Sequence, residues 1–600
     1  MPNQDPPQPT AQPDVAQRKI YIPLINDPPG AIPRVVIDPI TRIEGHLRIE
    51  VQIKKGQVVD AWSSSTMFRG FEPILKNRDP RDAWVFAQRI CGVCTTVHSI
   101  ASVRAVENAL GITIPDNARI IRNLIEGAQL IHDHVMHFYH LHALDWVDVV
   151  NALQADPTQT SDLQKSISSW SNNSPEYFAA VKTRLQNFVN SGQLGLFANG
   201  YWGHPAYILS PEANLLATAH YLEALEWQSQ FSKFLAFLGG KNPHPQSYLV
   251  GGVSIPVDPT SAAAINPTRI TQLRSLANSA LDFVSQVYIP DLKLVASAYK
   301  DWANYGAGVG NYLAFGDYPT VGNDPASYWM PRGVIVGQNI GSAPGAMDHT
   351  KILEYINHSW YSYTGGNTAG KHPFSGETTV NYTGPTPPYL NLDIDGAYSW
   401  LKAPRYNNAP MEVGPLARML VAYANGHVRA RQLVDGLLSD LSVGAGALFS
   451  TLGRVGARGL ETLMVAEQMN GWLDLLLANI EGGKLQIHDK TKWSPTSWPA
   501  SATGWGTTEA PRGALGHWVK IAAGKISSYQ MVVPSTWNGS PRDSQGQAGP
   551  WEKALIGTPV ADPSRPVEIL RTVHSFDPCM SCAVHIIDVN KRPITRVEFY

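Results

Sequence analysis

The chain has 600 residues, 44% of them hydrophobic, with 17 Trp and 23 Tyr, so a large buried core is available. Its 47 Lys and Arg nearly balance its 49 Asp and Glu, which argues against nucleic acid or an anionic membrane surface as the main partner. Four Cys exclude a disulfide framework, and no apolar run is long enough to span a bilayer.

Residues 1–34 are rich in Pro, Gln and Asp, with Pro6-Pro7 and Pro28-Pro29 as breakers, and predict a poorly ordered arm. The arm has neither the charged-then-apolar pattern nor the twin arginine of an export signal, so export would have to be carried by another chain. His46 to Lys54 alternates apolar and polar, Gly56 supplies a turn, and Val58 to Trp62 follows, which predicts an antiparallel hairpin or meander. From Pro80 the period becomes helical. It predicts helices near 80–92, 95–110, 115–150, 160–190, 210–238, 268–300 and 411–478, the last divided into two or more. Pro211, opening an apolar run, fits proline in a first helical turn. Residues 300–405 are rich in Gly, Tyr and Pro and predict short strands and loops around a helical core. Residues 511–540 predict a short helix and then a strand at Tyr529 to Val533, and the tail Ile586 to Tyr600 alternates weakly. The expected fold class is mostly α with peripheral β (α+β), one large helical domain over 35–585.

All four Cys fall in two CxxC pairs. Cys91 and Cys94 lie in Arg89-Ile-Cys-Gly-Val-Cys-Thr-Thr-Val-His98, and Cys579 and Cys582 lie in Asp577-Pro-Cys-Met-Ser-Cys-Ala-Val-His585. Each pair aims two sulfurs the same way, so two pairs make a four-thiolate cage for a soft metal, joining the N- and C-terminal segments. A structural zinc and a catalytic or redox metal both suit such a cage, and the residues alone leave that choice open. With all four thiols in one site, no Cys remains for an iron–sulfur cluster, so electrons from a redox metal must leave through another polypeptide.

Six further stretches bear on the choice. They are Asp38-Pro-Ile-Thr-Arg-Ile-Glu-Gly-His46, Thr66-Met-Phe-Arg-Gly-Phe-Glu72, Trp400-Leu-Lys-Ala-Pro-Arg-Tyr406, Glu412-Val-Gly-Pro-Leu-Ala-Arg418, Ala510-Pro-Arg-Gly-Ala-Leu-Gly-His517 and Val533-Pro-Ser-Thr-Trp-Asn538. In this order, and with the two Cys segments, the chain from about Pro33 to His585 resembles the large, catalytic subunit of nickel–iron hydrogenases, respiratory uptake type.

That resemblance implies a set of roles. Cys91 and Cys579 would be terminal nickel ligands, and Cys94 and Cys582 would bridge nickel to an iron carrying CO and CN ligands. Arg512 would lie over the open metal position, oriented by Asp116 and Asp577, while Pro534 and Ser535 would hold a cyanide. Glu44 would take protons from a metal-bound thiolate. Glu72, His585 and the Met531 carbonyl would hold Mg2+. The reaction would be reversible heterolytic cleavage of H2, with Cys579 as proton acceptor and Arg512 as a rival base. An iron–sulfur small subunit would take the electrons, and a membrane cytochrome b could follow it. The heterodimer would be co-exported to the periplasmic face of the membrane. Nickel-insertion proteins and a protease cutting after His585 would act first, releasing 586–600.

Plainer readings stand beside these. Glu44 could pair with Arg42 or His46, Arg512 could make a structural ion pair, and 586–600 could be a permanent edge strand. His98, two helical turns beyond Cys91, could bond a site sulfur or only pack. His132, His134, His137, His140 and His142 read as a polar helix face at an interface rather than a metal site, and His220 resembles a position facing the small subunit's nearest cluster. The alternative functions are an H2-sensing regulatory subunit with little turnover and a zinc-bound structural subunit. The presence of all four Cys opposes the second, and the tail opposes the first.

Overall fold

The computed structural model describes residues 34–580, apart from 193–196, 198–199, 323 and 386–391. Cys582, His585, the extension 586–600 and all of the arm but Arg34 lie outside the described residues.

The predicted hairpin is present and gains a strand. Strands β1 (Arg34–Ile37), β2 (Leu47–Lys54) and β3 (Gln57–Ser65) pair antiparallel in that order, turning at Lys55 and Gly56, both at positive φ. Leu47, Ile49 and Val51 face the core, while Arg48 and Glu50 on the other face are also buried and satisfy each other at 2.6 Å.

Helices begin where capping chemistry allows. Short helices α1 (Phe71–Leu75) and α2 (Ala83–Gln88) lead to α3 (Val97–Leu110) and α4 (Asp116–Met136). The last turns of α4 widen into a π-helix at His137–His142. The expected helix at 160–190 is instead two, α5 (Pro157–Ile167) and α6 (Pro175–Asn190), because Ser174 caps a fresh start at Pro175. The same Ser-Pro and Asn-Pro starts open α7 (Pro211–Gly239) and α8 (Pro267–Phe283), and α9 (Ile289–Ala298) follows α8 through a π-turn. Residues 411–478 divide into α10 (Pro415–Ala424), α11 (Val428–Leu441) and the long α12 (Thr451–Glu481), which packs against α4, α8 and α10 in the main core. Between them, 300–410 forms two-stranded ribbons such as Tyr312–Ala314 with Gly333–Ile335 and Ile352–Tyr355 with Ala403–Tyr406.

Residues 511–540 correct the sequence reading. The strand expected at Tyr529 to Val533 is present as the end of Lys525–Val532, but a strand and not a helix precedes it. Ser501–Ala510, Gly513–Ala522 and Lys525–Val532 form an antiparallel meander, and the short helix α13 (Pro534–Asn538) comes after it. The central strand is buried on both faces, so its sequence lacks the alternation that marks a half-exposed strand. One face of this sheet lies directly on α3: a Cβ at Gly504 would fall 2.3 Å from the Ala105 carbonyl, and one at Gly506 2.3 Å from the Ala105 nitrogen. Helices α14 (Pro550–Leu555) and α15 (Val567–Ser575) then carry the chain back to the β1–β3 sheet. The observed class is α+β. Among the described residues, no helix is long and apolar enough to cross a membrane.

Candidate metal centre

Three segments far apart in sequence meet in the interior. Cys91 and Cys94 occupy an irregular turn between α2 and α3, where the Cys91 sulfur accepts the N–H groups of Val93 (3.3 Å) and Cys94 (3.1 Å). Cys579 follows α15 after a turn at Asp577, whose φ is 56°. The Glu44 strand segment runs parallel to it: Glu44 N–H donates to the Pro578 carbonyl (3.4 Å) and Met580 N–H to the Glu44 carbonyl (2.6 Å). The sulfurs of Cys91, Cys94 and Cys579 all lie within 4.8 Å of one another and are buried, with Cys91 and Cys579 at 3.4 Å. Three converging soft donors fit a soft transition metal.

The surrounding groups are polar and mostly buried. The Cys579 thiol donates to Glu44 Oε2 at 3.4 Å, and its backbone N–H donates to Ser535 Oγ at 3.0 Å from the start of α13, beside Pro534. Arg42 turns away from Glu44: it pairs with Asp145 and donates to the Leu141 carbonyl at 2.7 Å. Arg512, at the turn between the first two strands of the meander, pairs through Nη2 with Asp577 (2.9 Å) and through Nη1 with Asp133 (3.5 Å). Asp116 does not reach it. That carboxylate is 60% exposed in the first turn of α4 and pairs with Arg119 at 3.1 Å, so Asp133, farther along the same helix, takes the role expected of Asp116. Burial opposes the Arg512 charge, but Asp577, the Cys579 and Cys94 sulfurs and Asp133 outweigh it and hold the guanidinium well above its ordinary pKa. Burial also raises the Asp133 and Asp577 carboxyls, against the pull of Arg512.

A profile of the family described as "Nickel-dependent hydrogenase" matches residues 69–585. The chain belongs to the nickel-dependent hydrogenase family. A second profile, described as HoxL-like, matches residues 34–64. The uptake hydrogenase large subunit of Bradyrhizobium diazoefficiens is 52% identical over 582 residues, covering 94% of this chain and 97% of that protein. The hydrogenase-1 large chain of Escherichia coli K12 is 46% identical over 569 residues, covering 92% and 95%. Among solved structures, the Ni-Fe-Se hydrogenase of D. vulgaris Hildenborough in the reduced state superimposes with a TM-score of 0.72 at 35% identity, over 92% of this chain and 99% of that one.

The other expected residues of this hydrogenase divide sharply. His98 shares no helix with Cys91, because α3 begins only at Val97. Its Nδ1 meets His517 Nε2 at 3.1 Å, and His517 Nδ1 meets the Tyr529 hydroxyl at 2.7 Å. Burial drives the His98 pKa down to about 4, against the nearby Cys91. His132 lies 3.7 Å from Asp133 and stacks on Trp227, and the other four histidines of α4 and its π-helix form no polar interface face. They are internal ties: His134 to Glu461 (3.0 Å), His137 to the His574 carbonyl (2.6 Å), His140 to the Tyr221 carbonyl (3.2 Å) and His142 to the Arg571 carbonyl (3.1 Å). His220 is buried in α7 and bonds Asp291 at 2.7 Å, so its ring is tied into the core of this chain. The sequence reading passed over His244, half-buried at positive φ, which meets the Cys91 carbonyl at 3.1 Å; its flanking Pro243 and Pro245 were the available signal. Glu72 and Met531 do adjoin, the Met531 N–H donating to Glu72 Oε1 at 2.9 Å. Lys402 stands 4.0 Å from Glu72 and 3.4 Å from Glu354.

Proposed function

We propose that this chain is the catalytic subunit of an uptake hydrogenase that oxidises H2 to two protons and two electrons. The observation that carries the reading is the convergence of three buried thiols within 4.8 Å, with Glu44 on Cys579 and Arg512 clamped by two carboxylates. Cys91 and Cys579 would hold nickel, and Cys94 and Cys582 would be shared between nickel and an iron carrying CO and CN. When bound there, the Ni–Fe centre supplies the redox and Lewis-acid chemistry of H2 cleavage. The Cys579 thiolate accepts the proton, and Glu44, at 3.4 Å, passes it outward. Arg512 is a poor rival base, since its surroundings strengthen its hold on the proton; it acts as a fixed donor facing the open metal position. Ser535, whose oxygen accepts the Cys579 amide, would hold a cyanide together with Pro534, and His98 would pack near Cys91.

Glu72, the Met531 carbonyl and His585 hold Mg2+. The adjacency of Glu72 and Met531, with Glu354 nearby as a second hard oxygen donor, supports this, and Lys402 balances the carboxylates. All four Cys of the sequence serve the one centre, so the electrons pass to an iron–sulfur small subunit and from there toward a membrane cytochrome b. The heterodimer works at the periplasmic face of the membrane, after removal of 586–600 by a maturation protease. The uptake reading is preferred to a sensor because the relatives at 52% and 46% identity bear the names uptake hydrogenase and hydrogenase-1.

An infrared spectrum of the anaerobically purified heterodimer tests the centre. Bands of metal-bound CO and CN that shift under H2 are expected, and their absence from fully metallated protein would sink the reading. Glu44→Gln should keep those bands and lose about 100-fold or more of turnover; wild-type turnover would remove Glu44 from the proton path.

A further inference from the structure

Arg418, in the first turn of α10, is 1% exposed and makes an unusual set of bonds. Its guanidinium donates to both carboxylate oxygens of Glu461 in α12, Nη2 at 2.6 Å, and to Glu509 Oε2 at 2.9 Å. It also donates to the carbonyls of Ala510 (2.8 Å) and Pro511 (3.1 Å), the two residues before Arg512. Glu461 in turn meets His134 at 3.0 Å, and His134 follows Asp133, the carboxylate facing Arg512. The links therefore close on themselves: Arg512 to Asp133, His134 to Glu461, Glu461 to Arg418, Arg418 to Pro511, and so back to Arg512. Backbone contact seals the same turn against α10. A Cβ on Gly513 would fall 2.6 Å from the Gly414 nitrogen, and one on Gly414 would fall 3.1 Å from the Arg512 carbonyl.

We propose that Arg418 is a positioning residue that sets the reach of Arg512 over the metal centre. It touches no reacting atom. It fixes the backbone that carries Arg512 and, through Glu461 and His134, the helix that carries Arg512's carboxylate, so guanidinium and carboxylate are held on one frame. The inference rests on the reading that Arg512 faces the open metal position. Only a planar fork can serve two carboxylates and two carbonyls at once; a lysine ammonium keeps the charge but cannot span them.

Arg122 provides the internal comparison. It is equally buried, binds Glu107 with two bonds (3.0 and 2.6 Å) and donates to two carbonyls, Leu249 (2.8 Å) and Gly252 (2.9 Å). Those carbonyls belong to a hairpin that carries no residue of the site.

The experiment compares Arg418→Lys, Arg122→Lys and Arg512→Lys in the heterodimer by kcat and KM for H2, the infrared bands of the metal-bound diatomic ligands, and thermal midpoint. Arg418→Lys should lower kcat about tenfold or more with KM unchanged, since small misplacements of a positioned group are costly. It should also move the infrared bands in the same sense as Arg512→Lys. Arg122→Lys should lose comparable thermal stability yet stay within about twofold of wild-type kcat. Wild-type rate and bands in Arg418→Lys, with Arg512→Lys impaired, overturn the role of Arg418 alone. An equal kcat loss in Arg122→Lys overturns it as well. Wild-type turnover in Arg512→Lys removes the reading beneath it. Should Arg418→Lys fail to assemble, Glu461→Gln decides: it keeps side-chain volume and removes one of the two acceptor oxygens that Arg418 uses. Shifted bands with reduced kcat support the proposal, and an unchanged enzyme refutes it.

Discussion

Asp116 and Asp133 are the same residue type on the same helix, about five turns apart, and only one of them matters to Arg512. Nothing in the α4 sequence separates them, because each is a lone acid among apolar and basic neighbours. Their surroundings separate them completely. Asp116 sits at the helix start in solvent, where an i,i+3 pair with Arg119 contributes little. Asp133 is fully buried, takes a hydrogen bond from Gln129 at 2.6 Å and faces Arg512. Asp116→Asn should therefore change stability by no more than about 0.5 kcal/mol and leave turnover alone. Asp133→Asn leaves Arg512 with a single carboxylate and should reduce kcat about tenfold or more. Side-by-side H2-oxidation assays check both, and equal rates for the two variants would contradict the assignment.

Close approach of elements sets the scaffold beneath those residues. The strand Ser501–Ala510 lies on α3 so tightly that two of its positions accept only glycine, and α3 begins three residues after Cys94. Gly506→Ala would set a methyl against the α3 backbone rather than against a mobile side chain, so the helix itself must shift; a cost of about 3 kcal/mol follows. Gly436, in α11, has nothing within 4 Å of its built Cβ, so Gly436→Ala should stabilise by up to about 1 kcal/mol. Thermal unfolding of the pair should move in opposite directions; a neutral Gly506→Ala would show that strand and helix are less tightly joined than described. These contacts also explain what the sequence could reveal. The β2–β3 hairpin and the helices α3, α4, α7 and α8 were legible because one face of each is marked by period or cap. Of the meander only the end of the last strand was legible, at Tyr529 to Val532; the central strand, buried on both faces, carries no alternation. The convergence of Cys91, Cys94 and Cys579 was legible through the CxxC pairs and their flanking motifs, which are local in sequence. Arg418, Glu461 and His244 were not, because their roles exist only through carbonyls and carboxylates that other segments bring to them.

At the scale of the whole molecule, charge is buried on purpose-built partners, and most buried imidazoles are held neutral, His220 on Asp291 excepted. Burial lowers His98 and His140 to about 4 and His134 and His142 to about 3, and drives His137 and His517 well below 6.5. Below pH 6.5 the unfolded chain binds protons on these groups that the folded chain refuses, so stability is complete above 6.5 and is lost as the pH falls. Burial acts oppositely on Glu126, Glu354, Glu509 and Glu552, raising each to about 7, so the folded chain holds those protons between 4.5 and 7 and loses stability as pH rises through that range. With His204, His244, His349, His372 and His427, also held down, eleven histidines outweigh the four glutamates, the raised Asp38, Asp133 and Asp577 and the raised His220 between pH 4.5 and 6.5, and the glutamates and His220 act above 6.5. Below about 4.5 the direction is reinforced, since burial raises Glu461 but Arg418 and His134 outweigh it and hold the carboxyl down at about 2. The stability maximum should therefore fall near pH 6.5, with a steeper loss toward acid than toward base. Thermal midpoints of the heterodimer in steps from pH 5 to 8 measure this. A midpoint that rises toward pH 5 would mean that the histidines are protonated in the folded protein, and that the ties to α7, α12 and α15 are charge-assisted rather than neutral hydrogen bonds.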